Sequence, residues 1–422
     1  MSDGQLLAGA ARVCITPPVG VELSGYLLRE QPSQGIHDNL YARALALDDG
    51  ETRLCVVACD LVGLSAHSVA CVRRAIASVC PHVMVTCTHT HAGPATTFLR
   101  HLGREDSAYL EVLLRQLAGT VRMACDNLQP ARLGFGSSEC HLAQCRRASR
   151  LPDGHPYDPE VVVLRVDRPD GRPIASVTNY ACHAVVLDHT NRMVSADFPG
   201  ATAAELERST GAPSLFLQGA CGDLNPRLRG GFAEVERNGR WLAGAALAAY
   251  HSTLSLSNEV RLGVATETLN LPLRPIPRDE VRAVREEALQ TLSDASASHT
   301  NRRVAQAFLA WADDTLRGQE AGALPLSLPG EVQVFQLGEG YLASAPGELF
   351  VELGEAIKEG LGRGRTMVAA YANGSLGYLF TPRAAKEGGY EAATAYRYYG
   401  HYPVAADVGE RIAAAAVRLG RG

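Results

Sequence analysis

The chain has 422 residues, of which 46% are hydrophobic and 20% are charged, so it can form a large hydrophobic core. The formal net charge of -5, without a long basic run, argues against a nucleic-acid partner. No stretch approaches the roughly 20 consecutive apolar residues of a transmembrane helix, and the first residues lack the pattern of a signal peptide. None of the eleven cysteines falls in a Cys-x-x-Cys pair, and we therefore predict a reduced, cytoplasmic protein.

Strand signals begin near the N-terminus and end at polar turns. An apolar strand before a Pro-Pro turn is followed by two strands, residues 40–47 and 53–59, and the Asp-Asp-Gly turn between them predicts a hairpin. The second of these strands leads directly into Asp60. Asp60 either caps the helix predicted over residues 65–79 or accepts a hydrogen bond from a metal-binding histidine, and the sequence leaves both roles open.

The next strand leads to a pair of histidines. Residues 83–94 read Val-Met-Val-Thr-Cys-Thr-His-Thr-His-Ala-Gly-Pro, an alternating apolar run that ends in a turn. His89 and His91 are two positions apart, and side chains at this spacing in an extended chain point to the same face. Ligands of α/β proteins bind beyond the carboxyl ends of strands, and two neutral imidazoles there suit zinc. A surface histidine pair, or a histidine hydrogen-bonded to backbone carbonyls, is the alternative.

The middle of the chain repeats this arrangement. The apolar strand 174–180 runs into His183, which therefore has the same context as His89. The strand 214–217 leads to the Gly-rich loop 218–226, which reads Gln-Gly-Ala-Cys-Gly-Asp-Leu-Asn-Pro. Each of these strands thus ends in polar residues at the edge where an α/β sheet binds its ligands.

Three arginines, Arg146, Arg147 and Arg150, form a small basic cluster in a loop. Such a cluster is usually a solvated surface, but beside a metal centre it could hold a substrate carboxylate through two parallel hydrogen bonds. The other elements predicted around it are helices over residues 106–128, 195–208 and 233–250 and strands over residues 131–137 and 161–166.

The last third of the chain brings one more carboxylate to a strand end. Residues 278–317 predict one or two exposed helices, and the strands 332–337 and 341–345 follow as a pair. Glu348, directly after Pro-Gly, is expected in the first turn of a helix, where proline and glutamate are common. A final strand over residues 366–370 precedes a tail that is dense in tyrosine.

No low-complexity linker, internal repeat or shift in composition divides the chain. Strands alternate with helices from end to end, which is typical of α/β proteins. We therefore predict a single large α/β domain over residues 1–422, with a mixed β-sheet core flanked by helices and a helical excursion at about residues 278–317.

The order of these polar strand ends resembles the neutral (alkaline, non-lysosomal) ceramidases and their shorter bacterial relatives. The Thr-His-Thr-His block is the most specific match, and the weaker matches follow in the family's order over nearly the whole chain. The matching segments are residues 15–18, 35–38, 42–44, 88–94, 179–183, 222–226, 346–348 and 371–391.

The resemblance implies a domain like the catalytic domain of these ceramidases, which hydrolyses an amide bond with zinc-activated water and holds one Zn²⁺ per chain. Two imidazoles and one carboxylate leave zinc Lewis-acidic enough to lower the pKa of a bound water towards about 7. The residues carried over are His89, His183, Glu348 and Tyr378 as metal ligands, His91 and Tyr390 at the scissile carbonyl, Arg146 or else Arg147 at an acyl carboxylate, His37 and Asn225 at the substrate, and Asp60 and Asp223 behind the ligands.

Three features depart from the family pattern. Asn225 stands where the ceramidases carry a serine, so a mechanism that depends on that serine is unavailable here. The chain stops shortly after the tyrosine block, so we expect it to lack the family's C-terminal β domain, and it shows no secretion signal. These departures favour a smaller or more soluble amide over ceramide as the substrate.

Other functions use the same residues. An esterase, a lactonase or an enzyme working in the acyl-transfer or condensing direction needs the same zinc and the same oxyanion donor. A metal-stabilised binding protein that has lost activity is the alternative from another class. In each case the expected partner is a small molecule, an amide or an ester, and the sequence leaves a homo-oligomer open.

Overall fold

The computed structural model describes residues 5–147 and 156–422. Within these ranges the strands form three larger sheets and three two-stranded ribbons. The strands are β1 (Leu7–Cys14), β2 (Gly35–Ile36), β3 (Tyr41–Asp48), β4 (Arg53–Cys59), β5 (His82–Cys87), β6 (Gln129–Pro130), β7 (Arg132–Glu139), β8 (Ala143–Cys145), β9 (Glu160–Asp167), β10 (Pro173–Tyr180), β11 (Met193–Val194), β12 (Ser214–Gln218), β13 (Leu224–Pro226), β14 (Leu262–Pro272), β15 (Ser327–Leu337), β16 (Gly340–Ser344), β17 (Glu348–Leu349), β18 (Thr366–Ala369) and β19 (Tyr378–Leu379). The helices are α1 (Ala66–Ile76), α2 (Ser107–Asp126), α3 (Asp197–Thr210), α4 (Phe232–Ser252), α5 (Arg278–Ser293), α6 (His299–Ala321), α7 (Val351–Leu361), α8 (Pro382–Glu387), α9 (Tyr390–Ala393), α10 (Tyr396–Tyr399) and α11 (Val408–Arg421).

The three larger sheets share one plan, with a parallel pair of strands at one edge and antiparallel strands beyond it. In the first sheet, ordered β5-β4-β3-β1-β6, the parallel pair is β4 and β5. In the second, ordered β12-β10-β9-β7, it is β10 and β12. In the third, ordered β14-β15-β16-β18, it is β16 and β18. Because parallel strands end on the same side of a sheet, each pair directs two chain segments towards one place.

Hydrogen bonds fix the ends of these parallel edges to one another. The backbone N–H of Ala370, after β18, donates to the carbonyl of Gln218 at the end of β12, at 2.9 Å. The Gln218 side chain donates in turn to the carbonyl of Thr88, after β5, at 3.0 Å. The N–H of Asn373 donates to the carbonyl of Val85 in β5 at 2.8 Å. The three sheets therefore meet where their parallel pairs end.

Apolar side chains from all three sheets pack together between them, and helices cover the outer faces. Helix α2 packs on β1 and β3, α4 packs on β7 and β9, and α7 and α11 pack on the third sheet. Buried side chains shared by the sheets include Leu45, Met84, Val162, Leu217, Phe335 and Met367. The prediction of an α/β fold with a mixed sheet core flanked by helices is confirmed. Among the described residues, none of the helices combines the length and the apolar character needed to span a bilayer.

The structure corrects the sequence prediction around Glu348. Glu348 does not begin a helix; it lies in β17, where it pairs with Tyr378 of β19, and the helix begins only at Val351. A Cβ atom on Gly347 would lie 2.5 Å from the carbonyl of Gly377, so this glycine permits the close approach of the two ribbon strands. The Pro-Gly dipeptide thus marks a short parallel ribbon, and helix α7 follows it.

Candidate active site

Each parallel pair delivers one polar side chain to a common centre. His89 follows β5, His183 follows β10 and Glu348 follows β16, and all three are buried. The Oε2 atom of Glu348 lies 3.1 Å from Nε2 of His183 and 3.6 Å from Nε2 of His89. The structure therefore brings together three residues that the sequence separates by up to 259 positions, which follows from 348 minus 89.

The neighbouring strand of each pair supports the histidine. The carbonyl of Val62, after β4, lies 2.6 Å from Nδ1 of His89, and the carbonyl of Cys221, after β12, lies 2.7 Å from Nδ1 of His183. A carbonyl can only accept, so in both rings Nδ1 carries the hydrogen. The Nε2 atoms, on the opposite side of each ring, face Glu348. Such a carbonyl behind the ring is typical of metal-binding histidines.

The chain at His89 is not extended, contrary to the reasoning from the i, i+2 spacing. Strand β5 ends at Cys87, and His89 has a φ of 62°, a left-handed conformation that is uncommon outside glycine. The imidazoles of His89 and His91 nevertheless converge, because their Nε2 atoms lie 3.1 Å apart. Uncommon backbone conformations of this kind cluster at functional sites.

His91 differs from the other two histidines in its surroundings. Its Nδ1 atom is buried and has no hydrogen-bond partner among the described residues. Gly25, with a φ of 101°, packs against the ring, and a Cβ atom there would lie 2.4 Å from Nδ1 of His91. Burial, with smaller effects from the charges of nearby histidines and arginines, lowers the pKa of His91 well below its usual range. His91 is therefore a neutral imidazole with an uncommitted nitrogen.

The donor set fits a metal ion. Nε2 of His183 and a carboxylate oxygen of Glu348 lie only 3.1 Å apart, and both are atom types that bind zinc. Donors bound about 2.0–2.1 Å from a tetrahedral zinc ion lie roughly 3.3 Å from one another, close to the spacings found here. One potential ligand atom from each of His89, His91 and His183 also lies within 4.8 Å of the other two. Burial lowers the pKa of His89 to about 3, so its ring is in the neutral form that binds metals.

Two tyrosines that were not predicted from the sequence contact this centre. Tyr371, after β18, stacks on the ring of His89 at 3.9 Å, and its hydroxyl lies 3.5 Å from Oε2 of Glu348. The hydroxyl of Tyr399 donates to Oε1 of Glu348. Tyr371 follows a buried strand, as His89 and His183 do, and that context could have indicated it. Tyr399 is one of many tyrosines in the tail, and no local pattern distinguishes it.

Tyr378 and Arg146, two predicted site residues, contact each other. Tyr378 lies opposite Glu348 in the β17–β19 ribbon, and its hydroxyl accepts from Nη2 of Arg146 at 3.0 Å. Arg146 also donates to the carbonyl of Gly222 at 2.6 Å, and its Nε lies 2.8 Å from a carboxylate oxygen of Glu391. Burial raises the pKa of Tyr378 well above its usual range, and Arg146 opposes this shift.

In the structure, Arg147 is bound by buried protein partners and is not presented to a substrate. Its guanidinium is buried, donates to Glu391 at 2.8 Å and to the carbonyl of Gly388 at 2.9 Å, and forms an ion pair with Glu387. These contacts tie the chain before residue 148 to the segment that carries Tyr390. Arg150, the third member of the predicted basic cluster, lies outside the described residues.

Both roles considered for Asp60 are wrong. Its carboxylate accepts from the N–H of Tyr41 at 2.9 Å and from Arg43 at 3.0 Å, and the helix that follows is capped by Ser65. Arg43 is a buried cation in β3, so Asp60 supplies part of its countercharge. The carbonyl of Val62, two residues later, makes the contact with His89 that was considered for Asp60.

Asp223 accepts hydrogen bonds from backbone N–H groups of two other segments. Its carboxylate accepts from the N–H of Val351 at 2.9 Å, at the start of α7, and its carbonyl accepts from the N–H of Arg146. It therefore fixes the segments that carry Glu348 and Arg146, while the predicted contact with a histidine ligand is made by the carbonyl of Cys221.

The remaining predicted residues lie around the centre or at its edge. His37 stacks on Phe232 with ring centroids 3.6 Å apart, and its Nδ1 lies 2.8 Å from Asp38, so its described contacts do not include the histidine cluster. Asn225 lies in β13 with a buried Oδ1 that has no partner among the described residues. Tyr390 begins α9, is 46% exposed, and has its ring 5.8 Å from that of Tyr378.

Comparison with known proteins gives a family match for the first part of the chain. The model of the neutral/alkaline non-lysosomal ceramidase N-terminal region matches residues 6–241, more than half of the chain. The neutral ceramidase of Pseudomonas aeruginosa is 28% identical over 235 residues, which cover 49% of this chain and 35% of that protein. The neutral ceramidase of Drosophila melanogaster is 25% identical over 263 residues, which cover 54% of this chain and 37% of that protein. The alignments thus span little more than a third of these relatives.

Solved structures match over nearly the whole chain. The crystal structure of the neutral ceramidase from Pseudomonas aeruginosa superimposes with a TM-score of 0.76 at 20% identity, covering 99% of this chain and 74% of that one. A ceramidase complexed with C2 gives a TM-score of 0.77 at 18% identity, covering 99% of this chain and 75% of that one. At this identity the likeness concerns the fold, and it extends past residue 241 to the segments that carry Glu348, Tyr378 and Tyr390.

Proposed function

This chain belongs to the neutral/alkaline non-lysosomal ceramidase family, and we propose that it is a zinc-dependent hydrolase that cleaves the amide bond of a small or soluble N-acyl compound. The observation that carries the proposal is the convergence of three buried ligand atoms, since Oε2 of Glu348 lies 3.1 Å from Nε2 of His183 and 3.6 Å from Nε2 of His89. One metal ion can bind all three atoms, and the similarity to neutral ceramidases points to an amide substrate.

The residues that would hold one zinc ion are His89, His183 and Glu348, each placed by the end of a parallel strand pair. Tyr378 is the proposed fourth protein contact, because β19 places it opposite Glu348 and its hydroxyl lies beside the cation of Arg146. When bound, zinc supplies Lewis acidity, which activates water and polarises a carbonyl group.

His91 is proposed to hold and move a proton. Its ring is neutral at physiological pH, its Nε2 lies beside that of His89, and its Nδ1 has no partner among the described residues. A neutral imidazole in this position can accept a proton as the amide is attacked and return it to the leaving amine.

Tyr390 and Asn225 are proposed to bind the substrate. Tyr390 is nearly half exposed, and its hydroxyl would donate to the oxygen that becomes negative during amide hydrolysis. The buried, unpartnered Oδ1 of Asn225 is an acceptor that a substrate N–H would satisfy. Arg146, held between Tyr378 and Glu391, adds positive charge beside the hydroxyl of Tyr378.

The test is turnover of a matched amide and ester with the same acyl and aromatic leaving parts, measured on the zinc-loaded protein. The proposal expects hydrolysis of the amide, and loss of that activity in His91→Ala and a marked decrease in Tyr390→Phe. Hydrolysis of the ester alone would favour the esterase or lactonase reading of the same site. A protein that binds zinc and turns over neither substrate, across acyl lengths, would support a metal-stabilised binding protein.

A further inference from the structure

The backbone of Tyr371 joins two of the segments that carry proposed metal ligands. Its N–H donates at 3.1 Å to the carbonyl of Gly347, the residue before Glu348. Its carbonyl accepts at 3.3 Å from the N–H of Cys87, two residues before His89. The φ of Tyr371 is 53°, a left-handed conformation that is uncommon for a bulky residue and that clusters at functional sites. The fold thus holds this buried tyrosine between Glu348 and His89 in an unusual backbone conformation.

The side chain of Tyr371 contacts both of these ligands. Its ring lies flat on the imidazole of His89, with the ring centroids 3.9 Å apart and an angle of 19° between the planes. Its hydroxyl lies 3.5 Å from Oε2 of Glu348, the carboxylate oxygen that faces His89 and His183. Because rotation of the imidazole would drive its edge into the tyrosine ring, the stack fixes the plane in which Nε2 of His89 lies.

Cys221 extends these contacts to the third ligand. Its Sγ atom lies 3.3 Å from the hydroxyl of Tyr371, and its backbone carbonyl is the group that supports Nδ1 of His183. A tyrosine hydroxyl has one hydrogen to donate, and an ionised carboxylate can only accept. The hydroxyl therefore donates to Glu348, and the buried thiol of Cys221 donates to the hydroxyl. The chain of contacts runs from His183 through Cys221 and Tyr371 to Glu348.

The other tyrosines around Glu348 do not make this connection. Tyr399 donates to Oε1 of the carboxylate, and Tyr378 lies opposite Glu348 in the ribbon and accepts from Arg146. Among the described contacts, Tyr371 alone in this group also stacks on a proposed histidine ligand. Its removal therefore affects more of the donor set than the removal of Tyr399.

We propose that the Cys221–Tyr371 pair positions the donor atoms of all three proposed zinc ligands, His89, His183 and Glu348. The inference rests on the proposed zinc-dependent hydrolysis and deepens it by naming two positioning residues of the same site. Tyr371 acts on the plane of one imidazole and on the direction of the carboxylate, and the thiol of Cys221 acts through the hydroxyl of Tyr371. The affinity and the geometry of the metal site thus depend on side chains that lie behind the ligands.

The first experiment separates the ring of Tyr371 from its hydroxyl. Zinc affinity is measured by competition with a chromophoric chelator, and geometry by the visible absorption of the cobalt(II)-substituted protein, which depends on coordination geometry. Tyr371→Phe keeps the stack, and we expect its zinc affinity to fall by about 10-fold. Tyr371→Leu removes the stack as well, and we expect a fall of about 100-fold and a changed cobalt spectrum.

The second experiment tests the link through Cys221. Cys221→Ala removes the thiol but leaves the backbone carbonyl at His183, and we expect zinc affinity to fall by about 2- to 10-fold, the effect of one hydrogen bond. Cys221→Ser restores a donor and should recover part of this loss. In the double variant Cys221→Ala/Tyr371→Phe, the loss should be smaller than the product of the two single losses, because both groups act in one chain.

Tyr250→Phe is the matched control. Tyr250 is also buried, and its hydroxyl lies 3.2 Å from a carboxylate oxygen of Asp167, so the variant loses a similar contact whose described partners do not include the histidine cluster. It should bind zinc as wild type does. A Tyr371→Leu protein that loses thermal stability but keeps its zinc affinity and cobalt spectrum would show a merely structural role and overturn the proposal. Independent losses in the double variant would overturn the link to Cys221.

None of these measurements uses a substrate, so the positioning role and the proposed function can fail separately. A wild type that binds zinc but hydrolyses no amide contradicts the proposed function, while weaker zinc binding in Tyr371→Phe and Tyr371→Leu still supports the positioning role. A wild type that hydrolyses an amide, with equal zinc affinity in all Tyr371 and Cys221 variants, overturns the positioning role and leaves the proposed function in place.

Discussion

The strand ends that carry His89 and His183 and the tyrosine segment, residues 378–402, meet at Glu348 but are built differently. Both histidines are held by backbone carbonyls of the neighbouring strand. The tyrosine segment is held by contacts between side chains, such as that of Tyr399 with Glu348 and that of Tyr378 with Arg146. Backbone anchors are set by sheet topology, while side-chain contacts depend on single hydroxyl groups. We therefore expect changes at the strand ends to abolish function and changes in the tyrosine segment to weaken it gradually.

His91 gives the largest expected effect that leaves the metal in place. It lies at a strand end but lacks the backbone carbonyl found behind His89 and His183. His91→Ala should therefore lower kcat by about 10²- to 10⁴-fold, the usual contribution of a general acid–base group, while zinc content stays near that of wild type. Both quantities are measured on the same preparation. Loss of zinc in this variant would instead support a site made of three histidines.

The strand-end half of the site could be predicted from the sequence because each residue follows a buried apolar run. His89, His91 and His183 were identified in this way, and the resemblance to a family added Glu348 and Tyr378 as metal ligands. The geometry could not be predicted in full: His89 has a left-handed backbone, and Glu348 lies in a ribbon whose second strand is 30 residues away, from 378 minus 348. Non-local pairing of this kind leaves no local periodicity in the sequence.

The tyrosine segment and the charged residues show where sequence reasoning fails. Tyr399 contacts Glu348 only because the chain folds back over the site, and its neighbours Tyr396 and Tyr398 have the same composition around them. Arg147 and Asp60 looked like site residues, yet both are neutralised by buried partners from distant segments. Whether a charge serves binding or stability is decided by the partner that the fold brings to it.

Asp197 is a buried carboxyl group whose titration makes the stability of the protein depend on pH. It is the buried first residue of α3, two positions after Ser195, whose carbonyl accepts from Thr90, and burial raises the pKa of Asp197 to about 7 against a usual value of 3.8. The unfolded chain loses this proton near pH 4, but the folded protein keeps it to about pH 7. The stabilisation is thus complete below pH 4 and is lost as the pH rises towards 7, by up to about 4 kcal/mol.

Asp197→Asn isolates this titration. Asparagine copies the shape of the protonated acid and tolerates the left-handed backbone at this position, where φ is 56°. The free energy of unfolding of the variant, measured by urea denaturation, should therefore rise relative to wild type between pH 4 and pH 7. A constant difference across that range would show that the carboxyl group is already ionised in the folded protein at pH 4.

Tyr399→Phe should give a smaller effect, because it removes one hydroxyl and no metal ligand. The variant loses the hydrogen bond that orients Oε1 of Glu348, and outer contacts of this kind typically change metal affinity by about 10- to 100-fold. Zinc affinity is measured by competition with a chromophoric chelator. Tyr398→Phe is the matched control, since the described hydrogen bonds of Tyr398 are made by its backbone, and it should bind zinc as wild type does. Equal affinities in both variants would contradict the role of Tyr399.

The most direct test of the account is the zinc content of the purified protein, measured by elemental analysis for wild type, His89→Ala and His183→Ala. An exposed histidine variant, His67→Ala, serves as the control. We predict about one zinc per chain in wild type and in the control and almost none in the two strand-end variants, with all four proteins folded. A folded wild type that binds no zinc, even after dialysis against the metal, would contradict the account.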